Sequence, residues 1–328
     1  MSKKYAIVTG ASPSSIGFLA AKRLASPEYG FKVILACRNA QKGNDAQARI
    51  QAEFPNSEVV FLPLDLASFE SIRSFVDQVH QLDDGSILKE TGLSVLVNNA
   101  GVGFGRETEF IETQDQLEEI VGVNHFGTFL LTQLLLDDLK RANGEARVVI
   151  VSSSLHDPST RKGKTDTQDQ DGDQTGALVL PNFPEGILQT KDGYDGFQAY
   201  RTSKLCNIWF TYELQRRLEK ESVKVNAVSP GFIPTTGLTR RSGWLGVFFL
   251  HYILDPWRYI GLGITRSPEE GAEVIVQAST SEIASKGGQY FHLPKGKDKI
   301  EPISSSKESM DKEKATKLWE ISLETCKL

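Results

Sequence analysis

At 328 residues the chain could form one large domain or two ordinary ones, and its 39% hydrophobic and 24% charged residues are globular proportions. With a net charge of −5 nothing argues for nucleic acid, so no nucleic-acid partner is expected. Only three cysteines, Cys37, Cys206 and Cys326, occur, without ligand spacing; this argues against a disulfide framework and suits a reducing compartment.

The N-terminal Met-Ser-Lys-Lys-Tyr leads at once into a strand-like run, so no leader peptide is expected and the expected location is cytoplasmic. Short β-rich runs then alternate with helical patterns. Strands are predicted at Tyr5–Val8, Lys32–Ala36, Val59–Leu62, Leu93–Val97, Arg147–Val151, Val223–Val228 and Gly288–His292. Helices are predicted at Ile16–Ala25, Gln41–Glu53 and Ser68–Gln81, within Gln114–Arg141, from Tyr200 to Leu218, at Glu269–Ala278, and in Met310–Leu328. That alternation predicts an α/β fold, a single doubly wound parallel sheet of Rossmann type with helices on both faces. No linker divides the chain, so residues 1–328 read as one domain. Two stretches break the rhythm. A polar insert covers about 157–195, and the charged stretch Lys295–Lys307 reads as loop.

The segment Gly243–Ile264 is apolar and aromatic, but Asp255, Pro256 and Arg258 interrupt it. Its uninterrupted part is too short to span a bilayer. The first reading is a lid over the substrate, at about 239–266. The second is peripheral contact with an intracellular membrane.

Tyr200 and Lys204, four residues apart, share a face if their segment is helical. An ammonium beside a phenol lowers the phenol's pKa, which makes Tyr200 a candidate proton donor to a carbonyl or base towards an alcohol. Thr9-Gly-Ala-Ser-Pro-Ser-Ser-Ile-Gly17 lies between the first strand and helix. Dinucleotide phosphates bind there in a doubly wound fold, and Gly10, Ser12, Ser14, Ser15, Ile16 and Gly17 are the candidate contacts; a plain strand-to-helix turn is the alternative. Arg38 ends the second strand where NAD-binding sites place an acid, and with Lys42 nearby it favours the 2′-phosphate of NADP(H). Asp65 could bond an adenine amino group or cap the helix at Ser68. Asn99, Ala100 and Gly101 follow the fourth strand and could admit a ribose, or form an ordinary turn. Asn124 is a poor interior helix residue, which suggests a kink or a bound water unless it is exposed. Ser153 follows the fifth strand and could hold a substrate oxygen. His125, His156 and the other histidines lack metal-ligand spacing and read as capping or surface residues.

In this order and spacing, Thr9-Gly10 through Gly17, Asp65, Asn98-Asn99-Ala100-Gly101, Asn124, Ser153, Tyr200 with Lys204, and Pro230-Gly231 resemble the short-chain dehydrogenase/reductase family over nearly the whole chain. Leu35-Ala-Cys-Arg38, Val123-Asn-His-Phe-Gly127 and Tyr194 through Asn207 are similar to the branch that holds retinol dehydrogenases and light-dependent protochlorophyllide reductases. Lys314-Ala-Thr-Lys-Leu-Trp-Glu320 and the long insert lean towards the latter. The chain also departs from the pattern. Its glycine motif is one residue longer, with Ser14 or Ser15 in place of the middle glycine. Phe232 replaces the cysteine usual in the protochlorophyllide group. The stretch Thr165–Gln174 is unusually acidic and amide-rich.

The resemblance implies an NADP(H)-dependent oxidoreductase acting on the carbonyl or alcohol of a bulky apolar molecule, such as a retinoid, sterol or long-chain aldehyde. It implies that Tyr200 exchanges the proton, Lys204 lowers its pKa and holds the ribose, Ser153 orients the substrate oxygen and Asn124 positions a relay water. Pro230, Gly231 and Thr235 would bracket the nicotinamide. Light-driven reduction of a tetrapyrrole double bond and a non-catalytic NADP(H)-binding scaffold are the alternatives. Homo-oligomerisation is left open.

Overall fold

A computed structural model of the chain describes residues 4–82, 91–103, 109–142, 144–157, 191–233 and 265–328. Thr235, nearly all of the 239–266 segment and most of the 157–195 insert lie outside the described residues. The strands are β1 (Lys4–Thr9), β2 (Phe31–Cys37), β3 (Val59–Pro63), β4 (Val95–Asn98), β5 (Ala146–Val151), β6 (Val223–Ser229), β7 (Tyr290–His292) and β8 (Glu301–Pro302). They form one sheet in the order β3-β2-β1-β4-β5-β6-β7-β8. The first seven are parallel, and β8 runs antiparallel to β7. The order reverses between β1 and β4, where Ile7 stands opposite Ile34 on one side and Leu96 on the other.

The central strands are apolar on both faces because helices cover both. Successive side chains alternate between the layers. Ile7 packs with α3 (Phe69–Gln81), α5 (Thr128–Leu134), α7 (Gly196–Arg217) and α9 (Lys312–Cys326). Val8 packs with α1 (Ile16–Leu24), α2 (Ala40–Glu53) and α8 (Pro268–Thr280). Each large aliphatic or aromatic side chain buried this way contributes about 1.5–3 kcal/mol. Side chains start the helices where the sequence offers caps: Ser15, Asn39, Ser68, Asp195 and Asp311, with a reciprocal Ser267–Glu270 box at α8.

The expected Gln114–Arg141 helix is interrupted. It comprises α4 (Glu119–Val121), a π-helical turn at Gly122–Gly127, α5, and α6 (Leu136–Lys140). Inside the stretch read as charged loop, Glu301 and Pro302 form β8 and pair with His292 and Phe291. At the opposite edge, β3 turns the backbone N–H and carbonyl groups of Val59 and Phe61 away from β2. There Gln47 accepts a hydrogen bond from the Phe61 N–H at 2.8 Å, and Gln51 donates to the Val59 carbonyl at 3.3 Å. Among the described residues no helix is long and apolar enough to cross a membrane.

Candidate active site

The carboxyl ends of β1 to β6 carry nearly every candidate residue, which is where open α/β sheets bind ligands. After β1 the chain turns sharply at Gly10, whose φ of +68° suits glycine. A Cβ on Gly17 would lie 2.3 Å from the Asn99 amide nitrogen, so only glycine lets α1 approach this closely. Ser15 caps α1 through the Phe18 N–H and donates to the Gly10 carbonyl at 2.8 Å. Its own N–H reaches the Ser12 carbonyl, and Ile16 opens the helix. Of the two serines that could replace the family's middle glycine, Ser14 takes the left-handed conformation, at φ +69°.

Thr9 ties this loop to the end of β4. Its hydroxyl accepts the N–H groups of Asn99 and Ala100 at 3.0 and 2.9 Å, while the Asn99 side chain donates to the Thr9 carbonyl at 2.9 Å. The result is a backbone-lined cradle over the α1 N-terminus, with no acid in that helix's first turn. The unpaired N–H groups of a first turn attract anions. Arg38 stands at the rim with its side chain 67% exposed, 4.0 Å from Asp65. Asp65 does not cap the next helix, as Ser68 does that. One Asp65 oxygen accepts the Ala67 N–H at 3.0 Å and the other faces Arg38. Donor set, cradle and cation fit a dinucleotide bearing a 2′-phosphate.

Asn124 lies in the π turn, 1% exposed. Its carboxamide oxygen accepts the Val102 N–H at 2.8 Å, and its nitrogen donates to the Val102 carbonyl and the Ser203 hydroxyl, each at 3.0 Å. A Cβ on Gly101 would meet both the Asn124 oxygen and Lys204 Nζ, at 3.0 and 3.7 Å, so Gly101 keeps the space between them open.

Helix α7 presents Tyr200, Lys204 and Asn207 on one face, as their spacing of four and three dictates. Tyr200 hydrogen-bonds the Ser153 side chain. Lys204 Nζ and the Asn207 amide share the Val151 carbonyl at 3.1 and 3.2 Å, and the Ser152 hydroxyl donates to the Lys204 carbonyl at 2.8 Å. Burial pushes the Tyr200 phenol upward, with the Ser153 hydrogen bond opposing, and lowers Lys204 to about 8. The spacing alone predicts a lowered phenol pKa. The structure differs because desolvation disfavours both charged forms and Lys204 spends its hydrogen bond on Val151. Pro230 and Gly231 follow β6, with Gly231 at φ +85° against Arg266, and Phe232 is part-exposed beside them, bridged to Thr265.

Tyr200 also anchors a small apolar cluster of Ile120, Ala199, Val102, Leu155 and Tyr194, joined to one main core through Val102. The Tyr194 hydroxyl donates to Glu118 at 2.6 Å, and the buried Glu118 caps α4 through the N–H groups of Ile120 and Val121. The histidines depart from their sequence reading: His125 and His156 are buried, at 1% and 2% exposure. Thr9, Tyr194 and Asn207 enter the sequence reading only as motif positions without a role of their own, and Glu118 does not enter it. Asn207 was accessible to it through helical spacing from Lys204, and Thr9 through its place beside Gly10. Nothing local marks the Glu118–Tyr194 pair, which joins residues 76 apart.

Residues 4–160 match the family model described as short chain dehydrogenase. The chain is 36% identical over 328 residues to a WW domain-containing oxidoreductase of Gallus gallus, covering 98% of this chain and 68% of that protein. It is 35% identical over 321 residues to the chloroplastic protochlorophyllide reductase of Pisum sativum, covering 96% and 76%. Among solved structures, an uncharacterized protein from Mycobacterium Paratuberculosis aligns with a TM-score of 0.69 and 27% identity over 99% of this chain and 94% of its own. The L-sorbose reductase of Gluconobacter frateurii, solved with NADPH and L-sorbose, aligns at 0.62 with 21% identity over 91% and 98%, a likeness of fold.

Proposed function

The chain belongs to the short-chain dehydrogenase family, and from that membership we propose that it is an NADP(H)-dependent oxidoreductase interconverting the carbonyl and alcohol of a bulky apolar molecule. The observation that carries the proposal is the convergence of Ser153, Tyr200, Lys204 and Asn124 beside the Gly10–Gly17 cradle. The cofactor, when bound, supplies or accepts the hydride. Arg38 would hold the 2′-phosphate, and the α1 N-terminus and the Gly10–Gly17 loop the pyrophosphate.

The chain's own groups handle the proton. Ser153 and Tyr200 present adjacent hydroxyls to one substrate oxygen. A phenol held neutral by burial arrives protonated and can release that proton to a developing alkoxide. Lys204, lowered to about 8, exchanges a proton near neutrality and lies across Gly101 from the Asn124 carboxamide, a polar gap suited to a relay water. Val102, Leu155 and Tyr194 beside Tyr200 make the adjoining wall apolar, which supports a retinoid, sterol or long-chain aldehyde as substrate. We place the whole chain, 1–328, in one catalytic domain.

Relatives named protochlorophyllide reductase support a second reading, light-driven reduction of a tetrapyrrole double bond. Phe232, where the notable cysteine of that group is expected, weighs against it. One assay separates the two. NADPH consumption is followed with retinal, a ketosteroid and decanal in the dark, and with protochlorophyllide in the dark and under illumination. Dark turnover of any carbonyl supports the main reading, whereas pigment reduction only in the light overturns it in favour of the second.

A further inference from the structure

His156 follows Ser153 by three residues and is buried, yet none of the proton chemistry uses it. Its two ring nitrogens have opposite duties. The Ser306 N–H can only donate, and it points at His156 Nε2 from 3.1 Å, so Nε2 carries no proton. The proton is therefore on Nδ1, which donates to the Ser153 carbonyl at 2.6 Å. The ring edge packs against Tyr290 with centroids 5.2 Å apart at 88°, which fixes its plane.

The turn that contains Ser306 is held by the helix that carries Tyr200 and Lys204. Trp209 of α7 donates to the Glu308 carbonyl at 3.1 Å, and the Tyr212 hydroxyl bonds the Ser305 hydroxyl at 2.8 Å. Ser306 also accepts the Ser309 N–H through its hydroxyl at 3.2 Å, closing that turn. A ring of contacts thus runs from Ser153 to Tyr200, along α7 to Trp209 and Tyr212, through the 305–309 turn to His156, and back to the Ser153 carbonyl.

We propose that His156 is a positioning residue that fixes Ser153 relative to Tyr200, with the C-terminal segment as its outer anchor. The inference rests on the carbonyl-reductase reading and deepens it. Ser153 contributes a hydroxyl to the substrate oxygen only if its backbone is held. The preceding strand holds it from one side, and His156 holds it from the other. Near-attack geometry is sensitive to displacements of about 1 Å, which can cost on the order of 10²-fold in rate.

The test compares His156→Phe, which keeps a flat, slightly larger ring and loses both ring hydrogen bonds while the backbone N–H of residue 156 still reaches the Ser153 carbonyl, with His156→Asn, whose amide nitrogen can replace Nδ1 towards Ser153. Three quantities are measured: NADPH affinity by fluorescence, kcat and KM for decanal, and backbone hydrogen exchange from Ser154 to Asp157. The Phe variant should lose about tenfold or more in kcat, with KM and NADPH affinity within about twofold of wild type and faster local exchange. The Asn variant should recover most of the loss and the slow exchange. Full kcat in the Phe variant, or no recovery in the Asn variant, overturns the proposal. A wild-type protein that binds NADPH but does not reduce decanal counts against the substrate reading. The exchange rates then decide the positioning role by themselves, and unchanged exchange in the Phe variant overturns it.

Discussion

Lys204 Nζ lies 5.4 Å from the centroid of the Tyr200 ring yet donates its hydrogen bond to the Val151 carbonyl, 3.1 Å away. The pair is adjacent without being an ion pair. Both side chains are buried, at 3% and 4% exposure, and burial favours the neutral form of each. On the proposed mechanism Tyr200 would then act as the acid, and Lys204 as the group that exchanges its proton with solvent.

Tyr200→Phe should lower kcat by about 10²–10⁴, the range contributed by a positioned general acid. Only the hydroxyl is removed from a ring packed beside Ile120 and Ala199, so NADPH affinity should stay within about twofold. Steady-state kinetics with a fluorescence titration measures both, and retention of most of the activity would refute the role.

Arg38→Ala should cost NADPH about one to two decades in affinity, the equivalent of roughly 1.5–3 kcal/mol for a charge-assisted hydrogen bond, and leave NADH nearly unaffected. The Arg38 side chain is mostly exposed, and its ion pair with Asp65 is long at 4.0 Å, so little structural loss should accompany the change. Equal effects on the two cofactors would argue that Arg38 does not read the 2′-phosphate.

Ser14→Gly should stabilise the protein by up to about 1 kcal/mol. A side chain in the left-handed region costs roughly 1–2 kcal/mol, from which the larger entropy of an unfolded glycine is subtracted. Urea denaturation reads the difference. A destabilised variant would show that the serine side chain makes a contact worth more than its strain.

Stability should fall in mild acid through His125, which burial holds down to about 3. The unfolded chain takes up this proton at about 6.5, so between the two values the unfolded state binds more protons and stability declines as pH falls. From pH 6.5 to 5 the loss is roughly 1.6 kcal/mol, because the unfolded histidine is only half protonated at the upper end. Burial also holds His156 below its ordinary value, and that adds in the same direction. The measurement is the pH slope of unfolding free energy for wild type against His125→Gln. Parallel slopes would mean that His125 titrates normally.

The layered fold was legible because its signals are local. Continuous apolar runs such as Val148-Val-Ile-Val151 read as strands, and helical spacing marked the helices that follow the first three strands. Tyr200 and Lys204 were legible by helical spacing. What escaped depends on partners far along the chain. A kink at Asn124 was legible, but not its partners Val102 and Ser203, nor the hydrogen bond that buried His156 accepts from Ser306, 150 residues away. The two-residue β8 has too little sequence to carry a period and exists only because β7 offers it an edge. The phenol's raised pKa was misjudged because spacing reveals a neighbour but not the loss of water around it.

A parallel sheet leaves two outer strands whose unpaired amide groups could recruit a neighbouring molecule into a continuous ladder. Here neither end invites that. Gln47 and Gln51 occupy the outward N–H of Phe61 and carbonyl of Val59, Pro63 offers no N–H, and β8 runs against the sheet's direction for only two residues. Replacing the two glutamines would therefore expose a self-complementary border, with its consequence visible in solubility during refolding before any change in catalysis.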